Sequence, residues 1–176
     1  AIAGTGAELD LRVTIENLEA GDEDIAFDDL TVTGTPAPTE VEVLHDAFND
    51  ASKFTPSVGF FSDGFSDFLG IADGAGGVHW GTGSTPSGLK PYTGADGRLL
   101  TGMDLDAEGG PATITATWDN LDISGLTDLK FEGDFAEFFD SPGDIDSDDF
   151  IRLSYQIDGG GYQNLLWFSA ADFSSS

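Results

Sequence analysis

Asp24-Ile-Ala-Phe-Asp-Asp-Leu-Thr-Val-Thr-Gly34 is the stretch on which the fold turns. Ile25 and Phe27 fall on one face of an extended chain, Asp28-Asp29 interrupts the alternation, and Leu30 and Val32 resume it. Strand side chains alternate between faces, so an extra residue restores the pattern only where the strand bulges. The preceding segment, Glu8 to Glu16, alternates without a break: Leu9, Leu11, Val13 and Ile15 on one side, Asp10, Arg12, Thr14 and Glu16 on the other. That is the signature of a half-buried strand. Leu18 to Asp24 reads as an acidic turn around Gly21, so residues 1–34 are expected to form a β-hairpin.

Thr35-Pro-Ala-Pro-Thr39 follows at once. Two prolines remove backbone donors and hold their predecessors extended, which makes 35–40 a stiff connector and the best boundary in the chain. Beyond it, 41–176 is expected to form the main body. Strands are expected at Val41–Phe48, Phe68–Ile71, Val78–Trp80 and Leu99–Leu105, then at Ala112–Trp118 with Thr113, Thr115 and Thr117 facing solvent. Leu129, Phe131, Gly133 and Phe135 make a further inward row, and Phe150–Ile157 and Tyr162–Phe168 flank Asp158-Gly-Gly-Gly161, a hairpin signal. No helical period of useful length occurs. The expected fold is all-β: nine or ten short strands in two antiparallel sheets, packed as a jelly-roll-like sandwich.

The chain has 176 residues, 33 acidic against 6 basic, and a net charge of −27. Nucleic acid and anionic membrane surfaces, both polyanions, are excluded as natural partners. Such self-repulsion is relieved by salt or by divalent cations, which points to a saline or calcium-rich exterior and an extracellular setting. There is no cysteine, no run long and apolar enough to span a membrane, and no signal peptide; the start at Ala1 without Met fits a processed product or an excised segment. Fourteen Phe, three Trp and three Tyr supply ample material for a core.

Gly21-Asp-Glu-Asp-Ile-Ala-Phe-Asp-Asp-Leu-Thr-Val-Thr-Gly34 resembles the closing strand of extracellular jelly-roll domains, among them meprin-type adhesion domains and laminin G-like sandwiches. Leu44-His-Asp-Ala-Phe-Asn-Asp50 resembles an opening strand of that group. Phe131 to Asp140, Phe150 to Asp158 and Gln163 to Trp167 look like the middle of modules in large secreted bacterial multidomain proteins, some of which carry nuclease domains elsewhere. In such modules the opening strand comes first, whereas here the closing strands precede it. The resemblance therefore implies a permuted chain, a frame cut across tandem repeats, or a hairpin that completes a neighbouring copy. In the last case Leu9, Leu11, Val13, Ile15, Phe27 and Val32 are the apolar row carried into the neighbour, whose open edges they would cover.

Metal is the chemistry the acids suggest. Asp144, Asp146 and Asp148 alternate as in calcium loops, although Asp149 and Tyr155 stand where an EF-hand needs Gly and Glu. A second calcium set joins Asp28 or Asp29 to Asp46 and Asp50, on strands that lie adjacent in the resembling domains, and the loop Asp63–Asp67 is a lesser one. Each competes with a plain acidic surface. His45 and His79 lack zinc-pair spacing and are read as structural. Glu132 and Glu137, five apart on a strand, point to opposite sides and make a poor glycosidase pair, and no nucleophile elbow occurs. Trp80, Tyr92, Trp118, Tyr162 and Trp167 are available to stack on sugars, with core packing the ordinary fate of such residues. The expectation is a non-enzymatic extracellular structural or adhesive module that assembles end to end with other copies or adjoining repeats, with calcium as a stiffener. The alternative is a carbohydrate-binding module whose partner is a polysaccharide.

Overall fold

A computed structural model describes residues 6–16, 24–35, 40–74, 78–80, 97–106, 111–138, 149–169 and 172. Twelve strands occur among them: β1 (Glu8–Glu16), β2 (Asp24–Thr35), β3 (Val41–Asp46), β4 (Thr55–Pro56), β5 (Phe61–Ser62), β6 (Phe68–Asp73), β7 (Val78–Trp80), β8 (Arg98–Met103), β9 (Thr113–Asp122), β10 (Thr127–Phe138), β11 (Phe150–Ile157) and β12 (Gln163–Ser169). Every pairing is antiparallel. One sheet runs β12-β11-β1-β9-β4; the other runs β10-β2-β8-β6-β5, with β3 also beside β2 and β7 beside β6. The all-β, two-sheet reading of the sequence is therefore correct. The two strands it did not anticipate, β4 and β5, are two residues each and exist only through their neighbours. Nothing in two residues carries a period.

The expected hairpin of residues 1–34 is a different object in the structure. β1 pairs with β11 on one side and β9 on the other, while β2 pairs with β10, β8 and β3. The two strands thus lie in opposite sheets, each away from the edge. Each has a long alternating row to bury, and facing rows in two layers cover one another in a way that neighbours in one sheet cannot. Leu9, Leu11, Val13 and Ile15 from the first layer meet Ile25, Phe27, Leu30 and Val32 from the second in one buried cluster. Full burial of such a side chain stabilises by about 1.5–3 kcal/mol. The expected boundary at 35–40 separates no two bodies: Gly34 and Val41, on either side of it, are paired in one sheet.

The interrupted alternation in β2 is a bulge. Thr31 lies opposite Glu132 and Asp28 opposite Asp134, so Asp29 and Leu30 share the single residue Gly133. Asp29 takes a left-handed φ of 47°, which shifts the strand by one residue and returns Leu30 to the core. The β11–β12 hairpin turns through Asp158 and Gly159, both at positive φ, closed by the Gly160 N–H donating to the Ile157 carbonyl at 2.9 Å. The Asp158 carboxylate also accepts from the Ala7 and Glu8 N–H groups at 2.9 and 3.2 Å, pinning the start of β1 to this turn.

Aromatic rings fill both flanks of the sandwich. Phe135 of β10 meets Phe27 edge-on at 5.2 Å and Phe168 of β12 at 5.7 Å, which bridges the two outermost strands on that side. On the other, Trp118 packs against Phe54 at 5.3 Å and Phe48 at 6.3 Å.

Candidate functional site

Among the described residues, the outer face of the first sheet carries a chemistry unlike that of the acidic chain as a whole. Because β1 buries its odd-numbered positions, Arg12 and Thr14 point outward, and register places them in two rows across the sheet. Trp167, Arg152, Thr14 and Thr115 are successive cross-strand partners, as are Asn164, Ser154, Arg12, Thr117 and Thr55. Neither row contains a carboxylate, in a chain with 33 of them, and together they hold two of its six basic residues.

These groups are interlocked by stacking. The Trp167 indole lies on the Phe150 ring at 4.7 Å and 21°, and the Arg152 guanidinium sits 5.5 Å from the first and 5.3 Å from the second. The Arg12 guanidinium covers the Tyr162 ring at 3.7 Å while its Nε–H donates to Thr117 Oγ1 at 3.4 Å. Burial is the main cause that pushes the Tyr162 phenol above its ordinary value, so the ring stays neutral. Among the described residues neither arginine forms an ion pair. The Thr14 hydroxyl, in the same row, is buried and has no hydrogen-bond partner there. Trp167 remains 47 % exposed. Of the five aromatic residues the sequence offers for stacking on sugars, Tyr162 and Trp167 reach this face; Trp118 is core, and the side chains of Trp80 and Tyr92 lie outside the described residues. Sequence reading missed Arg12 and Arg152. Their signal was parity: two of three arginines occupy outward positions of strands.

Of the residues expected to hold calcium, Asp28, Asp29, Asp46 and Asp50 are described, and each has its own surroundings. Asp46 points inward at 1 % exposure, its Oδ2 accepting the Trp118 indole N–H at 2.8 Å and its Oδ1 the Phe48 N–H at 2.9 Å. Asp50 lies in the following turn, where Oδ1 accepts the Ser52 N–H at 2.8 Å. Hydrogen bonds from Ser52, hydroxyl first and backbone second, hold its carboxyl below the ordinary range. Asp28 is buried, whereas Asp29 faces outward beside His45, Oδ1 to Nε2 3.5 Å. The bulge sends these neighbours to different environments. Asp144, Asp146 and Asp148 lie outside the described residues. Asp29, Thr31, His45, Glu132, Gly133 and Asp134 line an open acidic cleft on the second sheet. Among the described residues no group of three or more His, Asp or Glu is arranged to hold a metal ion.

Asp104, just past the end of β8, is an acid whose surroundings perturb it strongly. Phe68 and Met103 are register partners, so the residues flanking them cap the same end of β6 and β8. Burial, then the charges of Asp67, Asp106 and Asp63, raise Asp104 from 3.8 to about 6. Asp63 is held low instead, chiefly by the Phe65 N–H at 2.6 Å. A carboxyl whose folded value is raised stabilises the fold fully below its unfolded value and loses that contribution as pH rises through the folded one. The contribution of Asp104 is therefore present below 3.8 and gone above about 6. Asp104→Asn removes it. The difference in stability between wild type and variant is expected to shift by about 1 kcal/mol between about pH 4 and about pH 7, after discounting for solvent screening, as read by urea titration at each pH.

No family model, curated protein or solved structure matches this chain.

Proposed function

We propose that this chain is a structural or adhesive unit of an extracellular assembly, and that segment 8–34 is the element through which copies or adjoining repeats complete one another. One observation carries the reading. β1 lies between β9 and β11, and β2 between β10 and β8, so the segment fills an interior place in each sheet. Without it both sheets divide, leaving β3, β8, β9, β10 and β11 with unpaired backbone groups and the core open along its middle. The segment is joined to the rest through residues 35–40 alone. The same places accept the same segment from a neighbouring copy, with identical register and identical burial of Leu9, Leu11, Val13, Ile15, Phe27 and Val32. The net charge of −27 suits a unit working in a saline or calcium-rich exterior. Strand complementation of this kind needs no metal.

Deleting residues 35–40 tests the proposal. The deletion joins Gly34 directly to Val41, so that β2 runs on into β3 and the two cannot fold back to pair within one chain. The expected result is a β-rich assembly that grows with concentration, followed by light scattering and seen as linear particles by electron microscopy. A variant that stays a folded monomer, or that unfolds without assembling, overturns the proposal.

A further inference from the structure

We propose that the outer face of the first sheet binds a neutral polysaccharide chain, lying across β12, β11, β1 and β9. This goes beyond complementation by segment 8–34, which uses the inner faces and the strand edges. Four neighbouring strands span about 14 Å at a spacing of ~4.8 Å, the length of a short oligosaccharide, and the rows run along that direction.

The lining matches the two faces of a sugar. A pyranose ring presents axial C–H groups above and below its plane and hydroxyls around its rim. Trp167 supplies a flat apolar surface at one end of the first row, held in place by Phe150 beneath it and Arg152 beside it. A ring fixed before the ligand arrives loses little rotamer freedom on binding, which favours a stacked complex. Arg152 carries donors that no carboxylate engages among the described residues, and Asn164 offers both donor and acceptor in the adjoining row. Both can reach hydroxyls at the rim of a ring resting on Trp167. The buried Thr14 hydroxyl lies next to Arg152 across the strands and has no hydrogen-bond partner among the described residues.

Charge selects the neutral class. The arginines would attract an acidic glycan on their own. However, Glu16 and Asp10 bound the two rows along β1, and Arg12 already packs on Tyr162. The local balance is close to neutral, set in a chain of −27 that repels polyanions at longer range. An uncharged, hydroxyl-rich polymer pays neither penalty.

Native-gel affinity electrophoresis of the full chain in three neutral polymers, mixed-linkage β-glucan, arabinoxylan and galactomannan, run beside a polygalacturonate gel, provides the test. At least one of the three is expected to retard the wild type, and Trp167→Ala and Arg152→Met are each expected to weaken that retardation about tenfold in apparent Kd. Phe65→Ala, at an exposed aromatic between β5 and β6 of the other sheet, is expected to leave it unchanged. Thermal midpoints of all three variants show whether the fold persists. Independently, in a Trp80→Phe background, saturating polysaccharide is expected to shift the fluorescence of the chain that keeps Trp167 but not of the one that also carries Trp167→Ala, since the remaining Trp118 is buried in the core. No retardation by any of the three polymers overturns the proposal. So does equal loss in Trp167→Ala and Phe65→Ala, and so does retardation confined to polygalacturonate, which would assign the face to acidic glycans.

Discussion

Asp46→Ala is expected to cost the fold about 3–5 kcal/mol, a large share of the ~5–15 kcal/mol that holds a domain together. The carboxyl group sits between the layers and accepts two donors, the Trp118 indole N–H and the Phe48 N–H. Alanine leaves both buried without a partner and opens a void among rings that pack at 5.3 to 6.3 Å. Each unsatisfied buried donor costs about 1–3 kcal/mol, and the void adds to that. Trp118→Phe approaches the same bond from the other side: it keeps most of the ring volume but removes the donor to Oδ2. Its expected cost is about 2–3 kcal/mol. Because both changes delete one shared interaction, the double variant should cost clearly less than the sum of the two. Urea unfolding of the four proteins measures the cycle. Simple additivity would show that the indole–carboxyl bond contributes nothing of its own.

Val13→Asp is the second large effect. Val13 is 1 % exposed at the centre of β1, with Leu153 on one side and Ala116 on the other. The strand is paired along both edges and cannot move outward to bring a new charge into water. Burying an unpartnered carboxylate there is expected to cost about 4 kcal/mol or more, enough to leave the chain largely unfolded at room temperature. Val41→Asp, at an exposed position near the start of β3, is the matched control, with an expected change of about 0.5 kcal/mol. Circular dichroism and urea titration distinguish the two. The substitution also bears on assembly, because a segment 8–34 that carries Val13→Asp cannot complete a neighbour's sheet any better than its own. Near-wild-type stability of the variant would mean that β1 does not occupy the interior of its sheet.

How far each feature was legible depended on the range of the interaction that creates it. The inward row of β1, the bulge at Asp28-Asp29, the turn at Asp158-Gly159 and the outward threonines of β9 all follow from alternation or from φ preferences within a few residues. Asp46 was also within reach. It shares strand parity with Leu44, which is buried, so a core role was written in the period even though its acidity suggested metal. The acidic loop at Asp63–Asp67 could be seen, but its pairing with Asp104 could not, since only the β6–β8 register brings those strand ends together.

By itself, then, the sequence determined which segments extend, which face of each is apolar, and that an all-β sandwich must result, because periodicity is a local property of the chain. Only the tertiary structure decided that β1 and β2 part company, each to the interior of a different sheet, and that Arg12, Arg152 and Trp167 share an outer face. Those outcomes depend on partners far along the chain. Antiparallel register between distant strands is set by how two whole apolar rows fit together, and no short window of sequence contains both rows.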